Sequence, residues 1–295
     1  NPGLQYDNQS FRANLDCNMM WLSRRLDADK DSRWVVQPKV SLAWKPNSFW
    51  EWRTNYSHTF SPSGFLEINP LRIYTSYNLV SSGTGVNNHS TGDGMSTSLR
   101  YQTPGFGWSG SMSYSYNKSH YNTLYESKLV DGVYTRMSIN KNSRSVNQSV
   151  GGRIGRSFRA MRTRLSLSCD YSWSNYDIMY QGSKTKSDMK GFSSSFSWSM
   201  RPWIFFNFEE LSSFVISWQE SAGRNTVYRN FSHALNLYLQ PGSWQLKVTS
   251  ECRHSPDGSE KFNFYSDAAL SYKTQKYEFS LTCKNILGEN KREYR

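Results

Sequence analysis

The chain has 295 residues and a net charge of +12, long enough for one large all-β domain, and its even texture argues against two. A mean hydropathy of −0.72 would ordinarily speak against a membrane protein, but only every second residue of a barrel strand faces lipid, so transmembrane β-barrels read as polar. No run of about 18 apolar residues is present, which excludes a transmembrane helix, and 16% aromatic residues, with 11 Trp and 19 Tyr, favour a barrel over an ordinary soluble domain.

The first ten residues, NPGLQYDNQS, carry no basic and apolar signal region and read as a mature end or a cut inside a longer chain. About thirteen strands follow, near residues 12–22, 33–44, 49–60, 95–103, 107–117, 146–158, 163–176, 191–200, 203–218, 230–239, 244–253, 261–272 and 276–286. Most have the roughly 9 to 11 residues that a tilted strand needs to cross a bilayer. Short turns fall at KPNS, TPGFG, RAMR, RP, QPGS and KTQK, and longer polar stretches near 23–32, 61–94, 118–145, 177–190, 219–229 and 253–260. Tight turns alternating with long loops are the pattern of a barrel threaded through an outer membrane.

The segment Tyr101–Lys118, YQTPGFGWSGSMSYSYNK, shows the two faces. Trp108, Gly110, Met112, Tyr114 and Tyr116 share one phase, while Ser109, Ser111, Ser113, Ser115 and Asn117 share the other. The same alternation places Trp50, Trp52, Tyr56 and Phe60, then Phe192, Phe196, Trp198 and Met200, on the oily side. Aromatics crowd the short turns: Trp44, Phe49, Tyr101, Phe106, Trp108, Phe158, Trp203, Trp244, Tyr272 and Tyr277 predict a girdle at one membrane interface. One strand breaks the rule, since Glu210 and Ser212 fall in phase with Phe206, Phe208 and Phe214. A bulge near residues 209–213 that turns Glu210 inward is the expectation.

Three passages carry a resemblance to a known family: LEINPLRIYTSYN at Leu66–Asn78, the hairpin YQTPGFGWSGSMSYSYNKS, and the tail KNILGENKREY at Lys284–Tyr294. With these the chain resembles the C-terminal part of a TonB-dependent receptor barrel, of the outer-membrane β-barrel type abundant in Bacteroidota. The resemblance implies an all-β fold, a transmembrane antiparallel β-barrel. Residues 1–295 would be its barrel domain, a fragment of a barrel of about 22 strands without plug or closing strand. Where the family carries a Gly-Asn-Pro-x-Leu-x-Pro box, this chain has SSGTGVNNHSTGDG at Ser81–Gly94.

Reactive groups are sparse. Asp27, Asp29 and Asp31 imitate the start of a calcium loop, but Ser32 and Pro38 stand where such a loop needs Gly and Glu. His58, His89, His120, His233 and His254 have no zinc spacing, and no GxSxG, Walker or GxGxxG element is set between strand and helix. Cys17, Cys169, Cys252 and Cys283 each sit in the apolar phase of a strand and read as small lipid-facing residues. The basic cluster Arg153, Arg156, Arg159, Arg162 and Arg164 has one aromatic, Phe158, among it, and reads as a charged rim rather than a nucleic-acid groove. No metal, no cofactor, no nucleic-acid partner and no enzymatic activity are expected.

The loop tyrosines Tyr74, Tyr77, Tyr121, Tyr125 and Tyr134 are the candidate ligand contacts, because tyrosine offers an apolar face and a hydroxyl at low entropic cost. They serve equally well to pack the loops together. The expected function is a nutrient-uptake transporter in the outer membrane, in contact with its lipid and lipopolysaccharide, taking up a scarce glycan, peptide, siderophore or similar solute. The family resemblance adds a plug domain in the same full-length chain and the TonB complex as partners. A passive channel, and a structural or adhesive barrel without transport, are the rivals.

Overall fold

The computed structural model describes residues 2–26, 29–103, 107–130, 133–180, 182–256 and 262–286. In chain order its elements are β1 (Gly3–Asp7), β2 (Phe11–Leu26), β3 (Asp29–Trp44), β4 (Trp50–Pro62), α1 (Phe65–Ile68), β5 (Ile73–Ser76), β6 (Leu79–Ser82), β7 (His89–Gln102), β8 (Trp108–Tyr121), β9 (Leu124–Val130), β10 (Val133–Ile139), β11 (Ser143–Phe158), β12 (Thr163–Tyr180), β13 (Ser183–Trp203), β14 (Phe206–Ser221), β15 (Arg224–Leu239), β16 (Trp244–His254), β17 (Phe262–Lys273) and β18 (Glu278–Cys283).

Among the described residues, 14 strands form one sheet in the order β1-β2-β3-β4-β7-β8-β11 to β18, and a separate 4-stranded sheet has the order β5-β6-β10-β9. Neighbours in the large sheet are antiparallel throughout, so the chain runs up and down as the wall of a barrel. β1 and β18 are its edges.

Register turns the sequence alternation into two continuous faces. Leu99, Met112, Gly152 and Cys169 lie opposite one another across β7, β8, β11 and β12; one residue along, Ser98, Ser113, Gly151 and Asp170 form the polar row. Serine hydroxyls bridge neighbouring strands on the polar face, at 2.7 Å for Ser115 and Ser149, 2.6 Å for Ser166 and Ser197, and 2.7 Å for Ser213 and Ser232.

The apolar face stays uncovered. Among the described residues only Val35, Phe60, Val80 and Leu124 are buried large apolar side chains, while Met112, Ile154, Leu167 and many aromatics are exposed. So little buried apolar area does not fold a chain of this size in water, and an oily band around the whole wall requires lipid. At the short-turn end Trp50 packs on Tyr101 and Trp244 on Tyr272, both at 4.7 Å between ring centres, and Arg156 lies over the Trp108 and Phe158 rings. This is the expected girdle; Phe106 lies outside the described residues.

Four expectations are corrected. β1 is a fourteenth strand in the wall, five exposed residues too short and polar to show a phase. The stretches 23–32, 177–190 and 219–229 are not long loops: β2, β3, β12, β13, β14 and β15 run through them as strands of 16 to 21 residues, beyond the bilayer and polar because they are wet on both faces. The RP turn lies within β13, where Pro202 occupies the register shift between Met200 and Trp203, a place that tolerates a missing N–H. No bulge turns Glu210 inward, since β14 keeps continuous register with β15. Instead Ser212 Oγ reaches Glu210 Oε1 at 3.4 Å and His233 Nδ1 at 2.8 Å, while His233 Nδ1 lies 3.7 Å from Glu210. Two neighbours on the same face satisfy the carboxylate, which is 20% exposed.

Candidate ligand-binding cap

Two insertions leave the wall at the end opposite the short turns, residues 63–88 between β4 and β7 and 122–142 between β8 and β11. Each alone is short of partners. The first opens with α1, whose Glu67 side chain accepts the Gly64 N–H at 3.2 Å, and Asn69 Oδ1 accepts the Leu71 N–H at 3.0 Å. The SSGTG stretch closes back on this turn through Thr84 N to Glu67 O and Gly85 N to Ile68 O, both 2.9 Å. Gly83 is required there, since a Cβ would meet the Asn69 nitrogen at 2.6 Å. This backbone docking is the geometry that the SSGTG stretch adopts.

The second insertion is the β9–β10 hairpin, and it joins the first by parallel pairing of β10 with β6, Tyr134 opposite Leu79 through Met137 opposite Ser82. A hydrogen bond from the Tyr125 hydroxyl to Glu67 Oε1 clamps the two, and the Arg136 guanidinium lies 3.8 Å from the Tyr125 ring centre. Burial, then the Glu67 hydrogen bond and charge, push the Tyr125 hydroxyl up to about 12. Burial would raise Glu67, but hydrogen bonds from Tyr125, Ser63 and the Gly64 N–H, with the Arg136 charge, outweigh it and hold the carboxyl below its usual range.

The cap is rooted in the wall. Arg24 Nη1 donates to Ser63 O at 2.9 Å, Ser143 Oγ donates to Thr123 O at 2.8 Å, and β9 packs against β12. Where β4 and β7 meet the insertions, His89 stacks on Phe60 at 5.1 Å and meets the Asn122 amide at 3.1 Å, and Arg33, ion-paired with Asp31 at 2.8 Å, lies over the same Phe60 ring.

The five candidate tyrosines therefore do not form one cluster. Tyr134 and Tyr125 share a face of the cap sheet; Tyr74 lies on its other face, and Tyr77, 94% exposed, in the β5–β6 turn. Tyr121 ends β8 in the wall, opposite Ser143. Glu67 and Arg136 escaped sequence reasoning, although Glu67 three residues after Gly64 is a capping signal, and His89 enters there only as a candidate zinc ligand. The five arginines are divided: Arg156 on the oily face, Arg153 and Arg164 opposite serines on the polar face, and Arg159 and Arg162 in the turn, Arg162 at positive φ. Among the described residues no three His, Cys, Asp or Glu side chains converge as a metal site; Asp27 and the tail Leu287–Arg295 lie outside them.

This is the fold of an outer-membrane β-barrel, and its oily band places it in the outer membrane. No family model and no curated protein matches the chain. Solved structures do. The ferric enterobactin receptor PfeA of Pseudomonas aeruginosa is similar at TM-score 0.62 and 7% identity over 93% of this chain and 44% of that one. The ferric-catecholate import receptor Fiu of E. coli K12 is similar at TM-score 0.49 and 9% identity, over 96% and 63%. The chain thus spans less than half the length of PfeA. The expectation of no enzymatic activity is corrected: the barrels that it matches are not all named as receptors, OmpT of Vibrio cholerae being among them at TM-score 0.33 and 9% identity, and absence of catalysis forms no part of the conclusion.

Proposed function

We propose that the chain is the wall and extracellular cap of an outer-membrane receptor that takes up a scarce solute such as a glycan, peptide or siderophore. The observation that carries this is the cap: two long insertions, far apart in the chain, fold onto each other as one sheet and stand on a wall whose inner face is lined with small hydroxyls. Loops longer than a connection requires, held on a rigid scaffold, are where binding residues concentrate. The name of the PfeA protein supports an iron chelate among the candidate solutes. Residues 1–295 are the barrel part of a full-length protein that supplies a plug and engages the TonB complex, in keeping with the Bacteroidota-type resemblance of the hairpin and tail.

Within the cap Tyr77 and Tyr134 are the proposed ligand contacts, with Tyr74 and Tyr121 at the margins, and Tyr125 holds the two insertions together. The test uses the full-length protein in lipid nanodiscs with a panel of ferric siderophores, oligosaccharides and peptides. Replacing Tyr77 and Tyr134 together with Ala should weaken the binding of the recognised solute at least about tenfold, roughly 1.4 kcal/mol, with the barrel intact. Binding unchanged after removal of the β9–β10 hairpin would overturn the reading, as would steady ion conductance in a planar bilayer without any energy source, which is the behaviour of a passive channel.

A further inference from the structure

The outer face of the wall changes character near the upper ends of β12 to β15. Phe192 and Ile216 still face each other as an apolar pair. Two residues further up, Lys190 lies between Trp173 and Trp218, and two further again Asp188 lies between Asn175 and Glu220, with Asn225 beyond. Glu220 stands about 14 residues from the Phe206 end of β14, or roughly 35 Å along the barrel axis at ~3.3 Å per residue and a tilt of about 40°; the oily band is about 25 Å tall. These groups are therefore above the hydrocarbon, beside lipid headgroups and open to water.

The strands also end at different heights. The β12–β13 hairpin runs up to the pair Tyr180 and Ser183, whereas pairing with β14 stops at Ser187 opposite Ser221. The step leaves a cleft of about 750 Å³ lined by Tyr171, Trp218, Asp188, Lys190, Glu220 and Asn225. Its frame is held from both faces: Ser187, fully buried on the opposite face of β13, sets its hydroxyl on the backbone Glu220 O at 3.3 Å, and the Asn175 amide holds one Asp188 oxygen at 2.5 Å. Trp218 keeps 37% of its surface exposed.

We propose that this cleft is a saccharide-binding subsite. Aromatic faces at Trp218 and Tyr171 suit the apolar C–H face of a pyranose ring. The second Asp188 oxygen, the Glu220 carboxylate, the Asn225 amide and the Lys190 ammonium supply acceptors and donors for ring hydroxyls around that platform. Two carboxylates against one ammonium select a neutral or amino sugar and repel a phosphorylated or acidic one. An aromatic belt alone does not account for them, since carboxylates at this height repel headgroup phosphates. The sugar comes either from the glycan of an envelope glycolipid or from a free oligosaccharide, and the site does not depend on transport.

The test is calorimetry on the full-length protein in phosphatidylethanolamine and phosphatidylglycerol nanodiscs, with glucosamine, glucose and glucose 6-phosphate as probes, repeated in nanodiscs containing lipopolysaccharide. Glucosamine and glucose should bind saturably and glucose 6-phosphate at least tenfold more weakly. Trp218→Ala and Asp188→Asn should each reduce sugar binding about tenfold, while Trp21→Ala, an exposed outer-face tryptophan on β2, should leave it unchanged. Glu220→Gln serves where Trp218→Ala fails to fold. Lipopolysaccharide that competes with glucosamine in the parent but not in Asp188→Asn identifies the glycolipid as source, and lack of competition identifies a free saccharide. No saturable sugar binding in either disc, or equal loss in Trp21→Ala, overturns the proposal.

Discussion

The wall and the cap use the same residue types to opposite ends. In the wall, every strand pairs with a neighbour reached through a turn or insertion, and a residue's role follows from its parity: Met112 faces lipid and Ser113 faces the lumen because they are adjacent in β8. In the cap, Glu67 meets Tyr125 across 58 positions of chain, and parallel pairing of β6 with β10 joins two insertions. Period-2 alternation gives a side chain its solvent but not its partner. The wall is therefore robust to change at half its positions, and the cap depends on a few contacts.

The sharpest test of the wall is a charge on one face against the same charge on the other. Met112→Arg or Leu167→Arg should destabilise the barrel by about 2 to 4 kcal/mol, the cost of arginine facing hydrocarbon near the midplane. Ser113→Arg or Ser166→Arg should change it little. Urea titration of the full-length protein in vesicles reads the difference, and equal effects on the two faces would remove the face assignment.

In the cap the corresponding break is Tyr125→Phe, which removes one of the hydrogen bonds that Glu67 accepts and leaves it those from Ser63 and the Gly64 N–H; it should cost about 1 to 2 kcal/mol, confined to the cap. Hydrogen exchange should rise in β5, β6, β9 and β10 while β12 to β15 stay protected; loss of protection in the wall as well would show the two regions to be one cooperative unit. The same clamp predicts a pH window. Tyr125 titrates higher in the fold than when free, so its contribution is complete below its ordinary value of 10.0 and is lost as pH rises through about 12. Glu67 titrates lower in the fold, so its contribution is present above its ordinary value of 4.5 and is lost as pH falls through the lower folded value. Cap protection should be flat between these limits, and a cap that loosens near neutral pH would contradict the clamp.

The wall was legible in the sequence to the extent that its solvent was. Thirteen of its strands, the girdle and the oily phase follow from alternation, and β1, with only five residues, carries too little pattern to read. The strand ends above the bilayer were misread as loops because polarity on both faces signals water, and a wet strand and a wet loop have the same composition. Glu210 misled in another way. A carboxylate in an oily phase predicts a bulge only if nothing nearby satisfies it, and the partner His233 lies 23 residues away in the chain but beside Ser212 in register. In the cap, the two insertions were visible by length, but Tyr125 and Tyr134 are alike in sequence, and only the fold separates the clamp from the exposed ring.

That local exception in the wall gives a smaller effect. His233→Leu removes the neighbour of Glu210 on the lipid side, and the barrel should lose about 1 to 2 kcal/mol in vesicles. Glu210→Leu together with Ser212→Val and His233→Leu should restore or exceed the parent stability, because three apolar side chains in hydrocarbon need no partners. A triple variant less stable than His233→Leu alone would show that the cluster contributes more than mutual satisfaction.

The smallest effect belongs to the serine pairs of the inner face, and it separates wall from cap most finely. Ser168 Oγ and Ser195 Oγ lie 2.7 Å apart between β12 and β13, a hydrogen bond as short as many in a protein core. A wet lumen would let either hydroxyl turn to water when the other is removed. Ser168→Ala should therefore cost only about 0.5 to 1 kcal/mol. The double variant with Ser195→Ala should cost little more than either single change, since removing both partners strands neither. The Tyr125 and Glu67 pair should differ in kind, because their hydrogen bond is part-buried and charge-assisted, so that Tyr125→Phe and Glu67→Leu each lose the same interaction and their losses should not add. Double-mutant cycles on the two pairs, read by urea titration for the wall and by hydrogen exchange for the cap, should give a small coupling in the first and a coupling above about 1 kcal/mol in the second. Equal couplings would mean that the inner face is as dry as the clamp, and that the serine-lined wall does not enclose a wet space.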